Sequence, residues 1–202
     1  MSGSTPRDQE LTLLLGRVAN GDQQAANELL PLVYEQLRAM ARVRMSYERA
    51  GHTLQATALV HEAYARMLAP GDGAFENRRH FFFAAAEAMR RILIDHARSR
   101  NAEKRGGGDR QRVRLDISAI ADLAEEGKTF EIIALDEALR RMEVHRPRVA
   151  QVVILRFYGG LSVDETAEML GVSARTVDLD WAFARAWLYR ELSRYEREGN
   201  SG

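Results

Sequence analysis

The sequence predicts an all-α protein with two small helical domains joined by a flexible linker. Apolar residues recur at the helical period of 3.6 along almost every long segment, and no stretch alternates convincingly with a period of two. The glycine triplet 106–108 interrupts this pattern, and a polar, weakly periodic stretch follows it. These breaks place a first domain at residues 1–105, a linker at 106–129 and a second domain at 130–197.

Four helices are expected in the first domain. The first covers about residues 8–19 and ends at an Asn-Gly pair, because glycine readily takes the left-handed conformation. Asp22 is placed to cap the second helix, inside which Pro31 predicts a kink or a late start. The third and fourth helices are expected over residues 56–68 and about 77–104.

Residues 161–192 carry the most specific pattern, a helix-turn-helix. Ser162 and Glu165 are spaced as a capping box at the start of a short helix. Gly171 then provides the turn, and Ser173 caps a second helix. Such a pair places the second helix in the DNA major groove, the alternative being an ordinary helical hairpin. The inward stripe of that helix consists of Val177, Trp181, Ala184 and Leu188.

The DNA-facing side of this second helix includes two acids, Asp178 and Asp180. Carboxylates near phosphates oppose binding, so we expect weak DNA binding by this domain alone. Arg175, Arg185 and Arg190 are then left to supply most phosphate contacts. The candidate DNA-contacting residues are Ser173, Arg175, Thr176, Asp178, Leu179 and Arg185.

A net charge of zero hides a basic middle segment. Residues 78–114 carry 11 basic and 4 acidic side chains, whereas residues 115–143 carry 3 basic and 8 acidic ones. Arginines alternate with apolar residues along the fourth helix, which predicts one packed face and one cationic face. At least two of the three residues Phe81–Phe83 are expected in the core. Arginines beside aromatic residues suit a surface that holds unstacked bases; the alternative is a solvated charged face.

The residues give no support to an enzyme, so we expect no catalytic site, no metal and no cofactor. The chain has no cysteine, which excludes disulfides, thiolate zinc sites and cysteine nucleophiles. The five histidines lack metal-ligand spacing, and Gly106–Gly108 lacks the Lys-Ser/Thr of a phosphate-binding loop. No apolar run reaches the length of a membrane span and no signal-peptide pattern is present, so we expect a cytoplasmic protein with no membrane partner.

Taken together, these features resemble the extracytoplasmic-function (ECF) sigma factors of bacterial RNA polymerase over nearly the whole chain. The resemblance depends on Leu-Val-His-Glu-Ala-Tyr at 59–64, Asn-Arg-Arg-His-Phe at 77–81 with the arginine-rich stretch 90–98, and the helix-turn-helix at 161–192. Members have a four-helix region 2, a linker and a helix-turn-helix region 4. The resemblance implies an alternative sigma factor that directs promoter-specific transcription.

The resemblance also implies partners and contact residues. Region 2 would bind the clamp helices of core RNA polymerase and open the minus-10 element of promoter DNA. Region 4 would bind the minus-35 element and the polymerase flap. The acidic residues 116–126 of the linker would run toward the RNA exit path. The implied polymerase contacts are Leu59, Val60, Glu62, Ala63 and Arg66. The implied minus-10 contacts are Phe75, Asn77, Arg78, Arg79, His80, Arg90, Arg91, Asp95 and Arg98.

Residues 55–58, Gln-Ala-Thr-Ala, depart from the family pattern. Most members have an acidic stretch there that meets a basic polymerase surface, and this chain has no carboxylate. In this it resembles the subgroup that a Ser/Thr protein kinase activates. We expect phosphorylation of Thr57, with Thr53 as the second choice, to supply the missing charge. The alternative is that Thr57 only caps its helix.

Two other functions stay open at this point. One is a helix-turn-helix DNA-binding regulator that acts without core polymerase, and the other is a helical adaptor with no DNA partner. Co-purification with core polymerase would separate the first from a sigma factor, and an open-promoter assay would separate the second.

Overall fold

The computed structural model describes residues 6–46, 55–69, 75–103, 114–116 and 129–199. Within these ranges the chain is helical apart from one short β-ladder, which confirms the predicted all-α class. The first half contains α1 (Pro6–Ala19), α2 (Gln23–Ser46), α3 (Ala56–Met67) and α4 (Arg78–Glu103). The second half contains α5 (Ile132–His145), α6 (Pro147–Val153) with a π-helical segment (Ile154–Tyr158), α7 (Val163–Leu170) and α8 (Ala174–Gly199).

The sequence did not predict the β-ladder. Strand β1 (Arg114–Asp116) pairs antiparallel with β2 (Thr129–Glu131), which leads directly into α5. The pairing therefore ties three residues of the predicted linker to the start of the second half. The rest of the predicted linker, 106–113 and 117–128, lies outside the described residues, as does Thr53.

The start of α2 follows the predicted capping chemistry. Asp22 Oδ1 accepts hydrogen bonds from the backbone N–H groups of Gln24 and Ala25, at 2.9 and 3.0 Å. These N–H groups have no partner inside the helix, so the carboxylate satisfies them and its own pKa falls, first through the Ala25 bond and then through Arg17. The helix begins at Gln23 and contains Pro31, so the alternative of a late start is wrong.

The two halves share one connected apolar core. In the first half α3 packs between α2 and α4, and the buried Tyr64 hydroxyl donates a 2.5 Å hydrogen bond to the Ala26 carbonyl. Burial raises the pKa of Tyr64 to about 12. Phe81 and Phe82 are buried in this core, as expected.

The π-helical segment joins the halves. It packs against α4 and α2, with Phe157 and Tyr158 almost completely buried. Gly159 ends it where a Cβ atom would lie 2.5 Å from the Leu155 carbonyl oxygen, and Gly160 follows with a φ of 65°. The chain thus turns tightly from the shared core into α7.

Candidate nucleic-acid and polymerase interfaces

The capping box that opens α7 is present as predicted. The Glu165 backbone N–H donates to Ser162 Oγ at 3.2 Å, and the Ser162 backbone N–H donates to Glu165 Oε2 at 2.8 Å. The bond from the Ser162 backbone is the main reason that the pKa of Glu165 is lowered. Gly171 then ends α7 with a φ of 67°, the left-handed conformation expected of a turn glycine.

The start of α8 is also capped, and its two sides are clearly different. Ser173 Oγ accepts a 3.1 Å hydrogen bond from the Thr176 backbone N–H. The predicted inward stripe, Val177, Trp181, Ala184 and Leu188, is buried. Arg175, Asp178 and Leu179 lie on the exposed side, where 61% of Leu179 is accessible. The exposed first turns of α8 are therefore available to a large partner.

The exposed side of α8 carries fewer acidic side chains than the sequence indicated. Asp180 is buried, and Arg148 of α6 donates to both of its oxygens, at 2.7 and 3.3 Å. This corrects the expectation that Asp180 faces phosphates. Arg185 is only half-exposed with its Nε inside the protein, whereas Asp178 keeps the exposed position predicted for it.

The start of α4 presents a compact polar group. Asn77 Oδ1 accepts a 3.0 Å hydrogen bond from the His80 backbone N–H and so caps the helix. The guanidinium of Arg78 lies over the Phe82 ring at 5.2 Å, while Arg79 and His80 are exposed. Phe75 is buried with its ring edge-on to Phe81, so it does not offer a free face to a base, a correction to the implied role.

Further along α4 the arginines divide into buried and exposed groups. Arg90 is 3% exposed and hydrogen-bonded to Asp136 of α5 at 2.9 Å, which corrects its assignment as a DNA contact. Arg91 and Arg98 are exposed, with Arg98 Nη2 4.0 Å from Asp136. Asp95 is exposed and forms a salt bridge with Arg66 of α3. The cationic face of α4 therefore excludes Arg90.

Burial divides the implied polymerase contacts on α3 in the same way. Leu59, Val60 and Ala63 have no exposed surface and form core, which corrects their assignment as direct contacts. Glu62 and Arg66 are exposed, and Arg66 bonds both Glu62, at 2.7 Å, and Asp95, at 2.9 Å. The hydrogen bond with Asp95 is the largest reason that the pKa of Arg66 rises. The apolar residues of the motif thus hold α3 in place while the charged ones face outward.

Thr57 occupies the second position of α3 and is exposed. The helix is capped at Gln55, whose side chain makes no capping hydrogen bond, and the first turn has no acidic residue. Thr57 therefore does not cap the helix, and that alternative is wrong. The N–H groups of the first turn have no side-chain acceptor from the cap residue.

The turn between α7 and α8 lies beside the start of α4. A Cβ atom built on Gly171 would be 4.0 Å from an Arg79 guanidinium nitrogen. A cleft of 320 Å³ separates the halves nearby; its lining includes Met40, Phe82, Leu161 and Met169. The turn that leads into α8 thus lies next to the candidate minus-10 surface in this structure.

Three groups in these sites had no local sequence signal. Asp136 and Glu143 of α5 pair with Arg90, and Arg148 pairs with Asp180, in each case more than 30 residues away along the chain. Of the partners of Arg90, only Glu87 lies at a helical spacing, three residues earlier on the same helix, from which a pairing can be predicted. Among the described residues no cluster of His, Asp and Glu is arranged to hold a metal ion. No helix in this part of the chain combines the length and apolar character needed to cross a membrane.

The arrangement defines an all-α protein whose two halves present an arginine-bearing helix and a pair of capped helices. The family model for the ECF sigma factors matches residues 8–194, and the chain belongs to this family. It is an alternative sigma factor that directs transcription, with core RNA polymerase and promoter DNA as its partners. Members are DNA-binding initiation factors rather than enzymes, which removes the adaptor and the polymerase-independent regulator as interpretations. No curated protein matches the chain by sequence.

Proposed function

We propose that this sigma factor is activated by phosphorylation of Thr57 by a Ser/Thr protein kinase. In this proposal α1–α4 act as region 2, which binds the polymerase clamp helices and opens the minus-10 element. Helices α5–α8 act as region 4, with α8 at the minus-35 element. Thr53 remains the second choice of phosphorylation site.

The position of Thr57 carries the proposal. It is exposed on the first turn of α3, in a turn with no acidic residue and no capping side chain from Gln55. A phosphate there brings about −1.5 to −2 charges and three acceptor oxygens to a helix N-terminus, where the helix dipole favours an anion. Phosphorylation therefore stabilises α3 and adds the charge that this chain lacks at residues 55–58.

The same phosphate creates a docking charge for a basic polymerase surface. A charge-assisted hydrogen bond contributes about 1.5–3 kcal/mol, so a few of them raise affinity by about two orders of magnitude. The exposed Glu62 and Arg66 lie further along α3 and give the partner further polar contacts. The buried Leu59 and Val60 keep the helix fixed on α2 and α4, so the new charge is presented on a rigid element.

The promoter contacts follow from the exposed and half-exposed residues that remain after the corrections. For the minus-10 element these are Asn77, Arg78, Arg79, His80, Arg91 and Arg98. For the minus-35 element they are Ser173, Arg175, Thr176, Asp178 and Leu179. Phosphate contacts from the arginines position each helix, and the polar residues beside them contact bases.

A direct test uses protein that carries phosphothreonine only at position 57, incorporated during synthesis so that no kinase is needed. We expect it to bind purified core polymerase about a hundredfold more tightly than the unmodified protein, and to give promoter-specific run-off transcripts from genomic fragments. When the protein is instead treated with a kinase-active cell extract, the Thr57→Ser variant should still be activated for transcription, and the Thr57→Ala variant should not. Thr57→Glu restores only part, because it carries a single charge.

The matched control is Thr12→Ala, since Thr12 is another exposed helical threonine, on α1. This variant should be activated like the wild type. Equal polymerase binding by phosphorylated, unmodified and Thr57→Ala proteins would overturn the switch. If Thr57→Ala is still activated and only the double Thr53, Thr57 alanine variant is not, the switch moves to Thr53.

A further inference from the structure

We propose that a cavity between the end of α5 and the second half of α8 binds a purine nucleotide, a small ligand that carries both an aromatic ring and phosphate charge. The cavity measures 450 Å³, and its lining includes His145, Arg146, Phe183, Trp187 and Arg190. Small-ligand sites have volumes of about 300–1,000 Å³, so a mononucleotide fits. The proposal depends on residues that neither the promoter contacts nor the phosphorylation of Thr57 uses.

Charge is the first argument. Two arginines and a histidine line the cavity, and none of the described residues around it is acidic. Nearby arginines are paired within the protein, as Arg141 is with Glu191 at 3.3 Å. By contrast, Arg146 and Arg190 form no ion pair with any carboxylate in the part of the chain that the structure describes. These two guanidiniums therefore remain available to bind an anion such as a phosphate group.

Two other cavities differ in this respect. The cleft between the halves is lined by Arg78 together with Glu165 and Glu168. The cavity beside Arg90 holds an ion cluster in which carboxylates already neutralise the arginine; its members are Arg90, Glu87, Asp136 and Glu143. Carboxylates in both places repel an anion, so the cavity between α5 and α8 is the favoured anion site of the three.

Aromatic surface is the second argument. Phe183 and Trp187 are four residues apart on α8 and so share one side of the helix. Phe183 is 39% exposed, and Trp187 is half-buried at the edge of the core. The Arg146 guanidinium lies 4.8 Å from the centre of the Phe183 ring. Aromatic rings beside arginines provide a surface on which bases stack while the cations bind phosphate.

Two simpler explanations account for only part of this arrangement. Cations are favoured at a helix C-terminus, which explains His145 and Arg146 at the end of α5. It does not explain Arg190, which α8 brings to the same place. Promoter binding does not explain Arg190 either, because it lies fifteen residues beyond Arg175, roughly 22 Å along the helix at about 1.5 Å per residue. The cavity is therefore separate from the first turns of α8.

The test measures binding to the full, unmodified chain by isothermal titration calorimetry, with no polymerase or DNA present. The probes are GDP and ADP, guanosine as a ring without charge, and pyrophosphate as charge without a ring. We expect at least one of the two nucleotides to bind at least about tenfold more tightly than either fragment, because ring and phosphates each contribute. The bound nucleotide contacts both α5 and α8, so it should also raise the midpoint of thermal unfolding.

Two variants assign the binding to this cavity. Arg190→Ala removes a charge-assisted hydrogen bond, and Phe183→Leu keeps an apolar side chain without the ring, so each should weaken nucleotide binding by at least about tenfold. Arg194→Ala changes an exposed arginine one turn later on α8, and Tyr195→Leu changes an aromatic residue that is also 39% exposed. Neither control residue lines the cavity, so both variants should bind the nucleotide like the wild type. Circular dichroism checks that all four keep their helical content.

Several results would overturn the site. These are no binding of either nucleotide at millimolar concentration, pyrophosphate bound as tightly as the better nucleotide, or equal losses in the Arg190 and Arg194 variants. A single-stranded oligonucleotide that binds more than tenfold more tightly than the nucleotides would also overturn it, in favour of a longer nucleic acid. The comparison of probes in the wild type needs no variant, so a variant that fails to fold leaves the test intact. Failure of the sigma-factor proposal would appear in run-off transcription instead.

Discussion

Helices α4 and α8 are the two proposed DNA-contacting helices, each 26 residues long, and among the side chains that the structure describes each buries one charged residue. On α4 the buried charge is Arg90, whose partners Asp136 and Glu143 come from the other half of the molecule. On α8 it is Asp180, whose partner Arg148 belongs to the same half. The first set of ion pairs therefore joins the two halves, while the second joins two helices of the same half.

The largest difference should appear when each buried charge is removed. Arg90→Ala leaves Asp136 buried without its main partner, so we expect the free energy of unfolding to fall by about 3–5 kcal/mol. Asp180→Ala should have a smaller effect, because the Arg148 that it releases is 56% exposed and can be hydrated. Urea unfolding at neutral pH measures both.

The neighbouring Arg91→Ala is the control for the Arg90 variant. Its side chain is 71% exposed, and its one ion pair in this cluster, with Glu87, is long at 4.0 Å. The loss of this side chain should therefore change the free energy of unfolding by less than about 0.5 kcal/mol. Equal losses in the Arg90 and Arg91 variants would show that the ion cluster does not stabilise the fold.

The contrast between α4 and α8 also shows which features a sequence reveals. Both caps of the α7–α8 unit, its turn glycine and its buried stripe were predicted correctly, because each depends on residues within four positions of one another. The helix bounds of the first half followed from the same local signals, with the late start at Pro31 as the exception.

Long-range contacts explain the errors. Arg90 and Asp180 were assigned to DNA-facing surfaces because helical periodicity cannot show that α5 or α6 will cover that side of the helix. Leu59 and Val60 were assigned to a partner because a family motif records which residues matter but not whether they act by packing. Phe75 lies outside any helix, so no period indicated its burial.

A second prediction separates promoter opening from polymerase binding. Arg78, Arg91 and Arg98 each have an exposed or half-exposed guanidinium on α4, so replacing any one of them with alanine should remove about one phosphate contact. Promoter opening, measured by permanganate footprinting, should decrease in each variant. Binding of core polymerase, measured by pull-down, should stay at the wild-type level.

Arg38→Ala on α2 is the matched control, because Arg38 is a partly exposed arginine on a different helix and outside the proposed promoter contacts. It should leave footprinting unchanged. Loss of polymerase binding in all three α4 variants would mean that α4 faces the polymerase rather than DNA.

A third prediction compares the two caps of the α7–α8 unit. Ser162→Ala removes the Oγ atom that accepts from the Glu165 backbone N–H and donates to Glu165 Oε2, but keeps the backbone bond from Ser162 to Glu165, so we expect a loss of about 1 kcal/mol in unfolding free energy. Ser173→Ala should cost less, because Ser173 has no acidic partner in its motif. The pKa of Glu165 is lowered in the folded state, so its contribution is present above its ordinary value of 4.5 and lost as the pH falls through the lowered one. The difference between the variants should thus shrink at acid pH, and an unchanged difference would contradict the capping-box role.

The smallest effect, and the one that tests α8 most directly, concerns Asp178. Asp178 is exposed among the first turns of α8, on the same side as Arg175 and Leu179, and Asp180 no longer shares that side. Asp178→Arg turns one repulsion into one phosphate contact. Affinity of the full chain for nonspecific double-stranded DNA should rise a few-fold, and the slope of log affinity against log salt should steepen by about 0.9. Glu137→Arg makes the same charge change at an exposed position of α5, outside the proposed DNA-contacting residues, and should leave the slope almost unaltered. Equal slopes for wild type and Asp178→Arg would mean that this side of α8 does not approach DNA, and the minus-35 contacts would have to be sought on another surface of the second half.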